Sequence, residues 1–134
     1  KDINIFEDGT ESRDFVYIDD VVAATIFGIE KESANNQSFN VGTGIQTSVM
    51  EVAQELMNNY KKEVPIHITG QFRKGDIRHN VADMQKTEKL LGFSAKISFK
   101  EGMKNFTDWV EKQTIMSDQY ESSLEEMRSK GLLK

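Results

Sequence analysis

The sequence predicts a mixed α/β unit with few, short strands and about five helices. Three observations carry that expectation. Short runs rich in β-branched and aromatic residues alternate with stretches of helical periodicity. Two of the helical stretches open on a Ser-x-x-Glu capping box, Ser48 to Glu51 and Ser98 to Glu101. Breakers stand where helices should stop, at Pro65 and Gly92.

In chain order, Ile3-Asn4-Ile5-Phe6 reads as a first strand and Glu7-Asp8-Gly9-Thr10 as the turn after it. Phe15-Val16-Tyr17-Ile18 is a second strand candidate. Asp19 is the expected N-cap of the helix that follows, since carboxylates suit the positive end. That helix carries Val21, Val22, Ala24, Thr25, Ile26, Phe27 and Ile29, apolar almost all round, which predicts burial. With so few strands to cover it, the helix calls for another domain. Ser38-Phe39-Asn40-Val41-Gly42 is a third strand candidate, closed by Gly42-Thr43-Gly44.

Ser48 caps a helix with Val49, Val52, Ala53, Leu56, Met57 and Tyr60 on one face and Lys61 and Lys62 at its end. Ile66-His67-Ile68-Thr69 alternates as a strand does. Asp83 opens a helix bearing Met84, Thr87, Leu90 and Leu91, and Gly92 ends it in a left-handed conformation. The helix after Ser98 is expected to bury Met103, Phe106, Trp109 and Val110. Residues 1–115 are read as one binding domain and residues 116–134 as an amphipathic helical tail with Tyr120, Leu124 and Met127 on one stripe, a face that could dock on a partner surface.

The 134 residues contain no cysteine, which excludes disulfides and thiolate metal sites, and the two histidines show no ligand spacing. A net charge of −5 speaks against nucleic acid and membrane surfaces as partners, and no apolar run reaches membrane-spanning length. The chain starts without methionine or a signal-peptide pattern, as expected of a fragment from a cytoplasmic protein.

Against this acidic background, Arg73-Lys74-Gly75-Asp76-Ile77-Arg78-His79-Asn80 is a basic knot around one glycine. Guanidinium forks match phosphate oxygens two at a time. Gly75 permits a tight turn that lets Arg73 and Asp76 project together, with Asp76 bracing an arginine. The knot reads as a phosphate or diphosphate clamp, although on these residues alone a solvated surface turn is the commoner reading of such a charged run. Arg13, just before the second strand candidate, reads either as a second phosphate ligand or as a partner of Asp14 or Glu11. Tyr17 has Val21 rather than lysine four positions on, so it reads as core. Gly42-Thr43-Gly44 has Thr47 where a dinucleotide fingerprint needs its third glycine, so it reads as a turn. His79 reads as a polar surface residue rather than a base.

Four segments in order then resemble a known family: Phe6-Glu7-Asp8-Gly9 through Arg13-Asp14-Phe15-Val16-Tyr17-Ile18-Asp19-Asp20-Val21; Phe39-Asn40-Val41-Gly42-Thr43-Gly44; Arg73-Lys74-Gly75-Asp76-Ile77-Arg78-His79; and Ala82-Asp83 to Leu90-Leu91-Gly92-Phe93. Ser98-x-x-Glu101-Gly102 and Trp109 also fit. Together they are similar to the C-terminal, substrate-binding part of the NAD-dependent epimerase/dehydratases, extended short-chain dehydrogenases/reductases that act on nucleotide sugars.

The resemblance implies that Arg13 and Arg73 grip a UDP- or dTDP-linked diphosphate and that Asp76 meets the ribose or braces the arginine. It also implies that His79 and Asn80 lie near sugar or nucleotide and that Ile5 and Phe6 line the base pocket. The tail is similar to that of dTDP-sugar 4-epimerases. The family's glycine-rich NAD loop and Tyr-x-x-x-Lys pair are missing from these residues. The resemblance thus implies a fragment, inactive and cofactor-free by itself, of an NAD-dependent homodimeric enzyme whose Rossmann domain lies elsewhere. The rival expectation is a free-standing, non-catalytic nucleotide- or protein-binding module.

Overall fold

A computed structural model describes residues 2–114 and 117–134, so the expected boundary between 115 and 116 lies outside the described residues. The elements run β1 (Ile3–Ile5), β2 (Ser12–Arg13), α1 (Ile18–Glu30), a 3-10 turn (Glu32–Ala34), β3 (Thr47–Ser48), α2 (Val49–Tyr60), β4 (Ile66–Ile68), β5 (His79–Asn80), α3 (Gln85–Leu91), α4 (Phe99–Val110) and α5 (Tyr120–Ser129). This is the mixed α/β fold with five helices and short strands that the sequence predicts.

Two small sheets organise the chain. β1 and β4 pair in parallel, Ile3 opposite Ile66 and Ile5 opposite Ile68. β2 lies between β3, antiparallel, and β5, parallel, with Ser12 opposite His79 and Arg13 opposite Asn80. Ladders of two residues have little stability of their own, so side chains must hold them.

Local chemistry sets the helix ends. Ser48 Oγ accepts from Glu51 N–H at 3.2 Å while the Glu51 carboxylate accepts from Ser48 N–H at 2.7 Å, completing the predicted capping box. Ser98 Oγ accepts from Glu101 N–H at 3.3 Å, one half of the second box. Gly92 takes φ +62° at the end of α3, as expected. α3 starts at Gln85, not at Asp83; the Asp83 carboxylate instead accepts from Gln85 N–H at 3.0 Å.

The core is a cluster of Ala24, Met84, Leu91 and Phe93, with Phe27, Phe39, Val41 and Ala82 packed against it. Phe27 and Phe93 meet edge to face at 6.2 Å. Thr87 is fully buried and donates to Asn40 C=O at 2.6 Å.

Several expectations are corrected. Residues 15–18 are not a strand; the strand is Ser12–Arg13, and the chain leaves the ladder at Asp14, whose carboxylate is captured by the turn at 43–44. Residues 38–42 are not a strand either. Their carbonyls are taken by side chains, Ser38 C=O by Lys86 Nζ and Asn40 C=O by Thr87, while Phe39 and Val41 pack on the core.

Asp19 is not the N-cap of α1. The helix begins two residues earlier, at Ile18 after Tyr17, and Asp19 lies exposed in its first turn. Asp20 turns inward, 5% exposed, and accepts from Lys96 N–H (3.1 Å) and Ile97 N–H (2.9 Å), tying α1 to the segment before α4.

Burial of α1 is overestimated from sequence: Ala24 is buried, but Ile18, Val22, Ile26 and Ile29 face outward. On α4 the buried positions are Gly102 and Thr107, whereas Phe106 and Trp109 are exposed. The small residue decides this. A Cβ at Gly102 would stand 3.0 Å from the Tyr17 ring, so Gly102 is the point of close approach. Tyr17, read as core from sequence, is only half-buried there, its ring lying against Gly102.

Removing the Asp20 carboxylate strands two backbone donors. Asp20→Ala is expected to lose about 2 kcal/mol, seen as a lower urea midpoint, because an unmade buried hydrogen bond costs more than a formed one returns. Asp19→Ala, one position away on the exposed side, should shift that midpoint little.

Candidate functional site

The basic knot and Arg13 meet because β2 and β5 pair in parallel. Arg13 Nη1 donates to Ser12 C=O (2.8 Å) and Arg78 C=O (3.1 Å), and Nη2 donates to Asp76 Oδ1 at 2.8 Å across 63 positions of sequence. The partner of Arg13 is therefore Asp76, not Asp14 or Glu11. The pair is part-exposed and contributes under about 1 kcal/mol. Its value is positional.

Asp76 sits on the turn that Gly75 makes possible, with Gly75 at φ +85° and Asp76 N–H donating to Arg73 C=O at 3.2 Å. Asp76 does brace an arginine, but that arginine is Arg13. Arg73, on the same turn, lays its guanidinium over the Phe6 ring, 5.3 Å from its centroid.

Arg78 has a different partner set. It pairs with Glu7 at 2.9 Å and with Asp8, and it donates to Thr10 at 2.9 Å, clamping the turn after β1. Hydrogen bonds from the Thr10 hydroxyl and N–H, then from Arg78, lower the Asp8 pKa to about 2. The hydrogen bond to Asp8, above all, raises that of Arg78 in turn.

His79 Nδ1 lies 2.8 Å from Ser12 Oγ, which also accepts from Gln46 Nε2 at 2.5 Å. Asn80, opposite Arg13, lines a polar hollow together with Arg13, Asp14, Asn40 and Ala82. Arg73 stands outside that lining, on Phe6.

Asp14 was not singled out for the site, yet it builds the hollow's floor. Its carboxylate accepts from Thr43 N–H (2.8 Å), Thr43 Oγ1 (2.6 Å), Gly44 N–H (2.9 Å) and Ala82 N–H (3.2 Å). Burial raises its pKa, but those hydrogen bonds together outweigh burial and hold it below the ordinary value. The donors of the Gly42-Thr43-Gly44 turn are thus occupied by an internal carboxylate rather than offered to a phosphate. Gly42 is required there, since a Cβ would stand 2.4 Å from Asp14 Oδ2.

Sequence reading also missed Glu11, 8% exposed, whose two carboxylate oxygens have no hydrogen-bond partner among the described residues. Nothing in its local pattern marks it. Among the described residues no group of acidic and histidine side chains is placed to hold a metal, and no helix is long and apolar enough to cross a membrane.

The family model described as GDP-mannose 4,6 dehydratase matches residues 1–106. The dTDP-L-rhamnose 4-epimerase of Burkholderia thailandensis is 33% identical over 110 residues, 82% of this chain and 30% of that protein. The UDP-glucuronate 4-epimerase of Thermodesulfobacterium geofontis is 33% identical over 113 residues, 81% of this chain and 33% of that one.

Among solved structures, the UDP-glucose 4-epimerase of Thermotoga maritima with UDP-glucose superposes with a TM-score of 0.72 at 37% identity, over 84% of this chain and 35% of that chain. The UDP-glucuronic acid 4-epimerase of Bacillus cereus, in complex with UDP-glucuronic acid and NAD, gives 0.76 at 28% identity, over 83% of this chain and 35% of that one. The chain spans about a third of the length of the relatives it matches.

The depressed Asp8 pKa has a pH signature. A carboxyl whose folded pKa lies below its unfolded value stabilises the fold above the unfolded pKa and loses that contribution as pH falls through the folded one. For Asp8 the window runs from 3.8 down to about 2. The stability gap between wild type and Asp8→Asn, measured by urea unfolding, should be constant above the window and close across it. A gap that persists undiminished below the window would contradict the assignment.

Proposed function

This chain belongs to the NAD-dependent epimerase/dehydratase family of extended short-chain dehydrogenases/reductases, and from that membership we propose that it is the part that binds a nucleotide-diphosphate sugar in a sugar epimerase or dehydratase. Residues 1–115 carry the binding function in this reading, and residues 116–134 form an appended tail. The parent enzyme is a cytoplasmic homodimer that takes NAD through a Rossmann portion outside these residues. NAD there supplies a hydride acceptor and donor. This chain supplies grip and orientation, and it does not turn over substrate by itself, since it lacks the Tyr-x-x-x-Lys pair.

The observation that carries this reading is the attachment of Arg13 to the Arg73–Asp76 turn across the β2–β5 ladder. A guanidinium has five N–H donors. Arg13 uses three of them on Ser12, Arg78 and Asp76, which leaves two for an incoming phosphate among the described residues. Those three bonds also hold the plane of the fork before ligand arrives, so little freedom remains to be lost on binding.

Arg73 brings the second cation from the neighbouring turn. Its donors have no hydrogen-bond partner among the described residues, and its face rests on Phe6. Phe6 and Arg73 then flank the nucleotide. Asn80 and Asn40 present amide groups to the sugar in the hollow beside Arg13, with His79 steadied by Ser12 at its edge. The sugar points outward from this hollow, toward the portion that holds NAD.

UDP and dTDP, titrated into the full chain by calorimetry, should bind in a salt-sensitive manner. Arg73→Glu and Arg13→Glu should each weaken binding on the order of a hundredfold, through a lost charge-assisted contact and added repulsion. Binding that survives Arg73→Glu unchanged refutes the clamp.

A further inference from the structure

Residues 120–134 lie beyond the stretch matched by the family model, yet they reach the site. α5 ends at Ser129, Gly131 just beyond it takes φ +65°, and Leu132 N–H returns to Met127 C=O at 2.9 Å, which reverses the chain. Residues 132–134 then run antiparallel to residues 72–74. Phe72 N–H donates to Lys134 C=O (2.8 Å), Lys134 N–H to Phe72 C=O (3.0 Å) and Lys74 N–H to Leu132 C=O (2.7 Å). The opposed pair in this bridge is Arg73 and Leu133. Leu133 and Leu124, 8% and 5% exposed, anchor the tail through burial.

The segment so paired has few other supports. Gly70 (φ +69°) and Gly75 (φ +85°) bracket it in left-handed conformations, with open space around both. Two glycines placed this way form hinges. Between them the main chain is tied by Glu7 N–H to Gln71 C=O at 2.7 Å and by the Asp76-to-Arg73 turn bond at 3.2 Å. Gln71 N–H also donates to Thr69 Oγ1 at 3.2 Å, and the three tail bonds are the ones that engage Phe72 and Lys74.

We propose that residues 120–134 are a strap that adds a strand to residues 72–74 and thereby positions Arg73 for the nucleotide diphosphate. The inference rests on the nucleotide-binding reading above. Arg73 is the residue that touches ligand; Leu133 and the strap act through it. With the strap in place, the Arg73 backbone is held from one side while its guanidinium rests on Phe6 from the other. Without it, two backbone donors lose their partners and the segment swings between its glycine hinges. Arg73 then has to be ordered by the ligand, which weakens binding without removing any contact to that ligand.

The test uses Leu133→Asp and Lys134→Pro in the full chain. The first breaks the buried anchor, and the second deletes the donor to Phe72 without touching the apolar side chains. Amide hydrogen exchange and UDP titration are read together, with Arg73→Glu as reference. The expected result is faster exchange at Phe72 and Lys74, unchanged protection in α2, and UDP affinity lower by roughly tenfold, the size of one charge-assisted hydrogen bond. Faster exchange at Phe72 and Lys74 with undiminished UDP affinity, while Arg73→Glu weakens binding on the order of a hundredfold, overturns the strap and leaves the nucleotide reading intact. If Arg73→Glu binds UDP as wild type does, the nucleotide reading falls and the positioning role falls with it. Should Leu133→Asp lose protection throughout, Lys134→Pro decides by the same criteria.

Discussion

The Asp14 carboxylate is the pin of this fold. It accepts four hydrogen bonds from residues 29 to 68 positions away, drawing the turn at 43–44 and the backbone of Ala82, just past β5, onto one point. The ladders on either side of it, β2 with β3 and β2 with β5, are two residues long and would not hold themselves together. Gly42 shows how tight the arrangement is, for no side chain fits between Asp14 and Ala82. Everything that brings Arg13 to the far turn follows from this capture. It is also why residues 15–18 leave the sheet although their composition favours a strand.

From that pin the cations of the basic knot divide into different tasks. Arg78 is committed to the turn after β1 through Glu7, Asp8 and Thr10, and so stabilises the scaffold. Arg13 is half committed, latched at one edge of its fork and without a partner among the described residues at the other. Arg73 rests on an aromatic face with its polar edge open. In the sequence Arg73 and Arg78 look equivalent, five positions apart in one charged run. What separates them is the partners that the fold supplies, and charge-paired arginines make poor ligand hands because a new anion must compete with a carboxylate already in place.

The legible parts of this protein are those decided within a few residues. The capping box at Ser48 and Glu51, the left-handed Gly92 and the turn at Gly75 are local contests between backbone donors and nearby side chains, and all three appear as read. Burial on α1 and α4 was misjudged because periodicity reports that a helix is apolar, not which of its faces finds a partner. Ala24 and Gly102 are the contact points, since small residues permit close approach, while Ile18, Val22, Phe106 and Trp109 stay outside. Strand propensity misled at residues 38–42, where Lys86 and Thr87 take the carbonyls that a ladder would have used.

The site was legible as a set of residue types and illegible as a set of contacts. That arginines at 13 and 73 belong near one another came from a family pattern, and the structure reaches that neighbourhood through Asp76 instead of through direct convergence of the two side chains. Asp14, Glu11 and Gln46 carry no mark in the sequence because each acquires its role from residues tens of positions distant, or, for Glu11, from carboxylate oxygens that have no hydrogen-bond partner among the described residues. The tail is the extreme case. Leu132 to Lys134 follow a charged amphipathic stretch that reads as a surface helix seeking a partner. They find it within their own chain, because the Phe72 and Lys74 donors have no other backbone partner among the described residues, and a strand edge accepts the extended segment that reaches it. Arg73 stands between Gly70 and Gly75, both at positive φ, and a segment so bracketed needs something to stiffen it. Here the stiffening comes through backbone hydrogen bonds, which restrain Arg73 without occupying any of its charge.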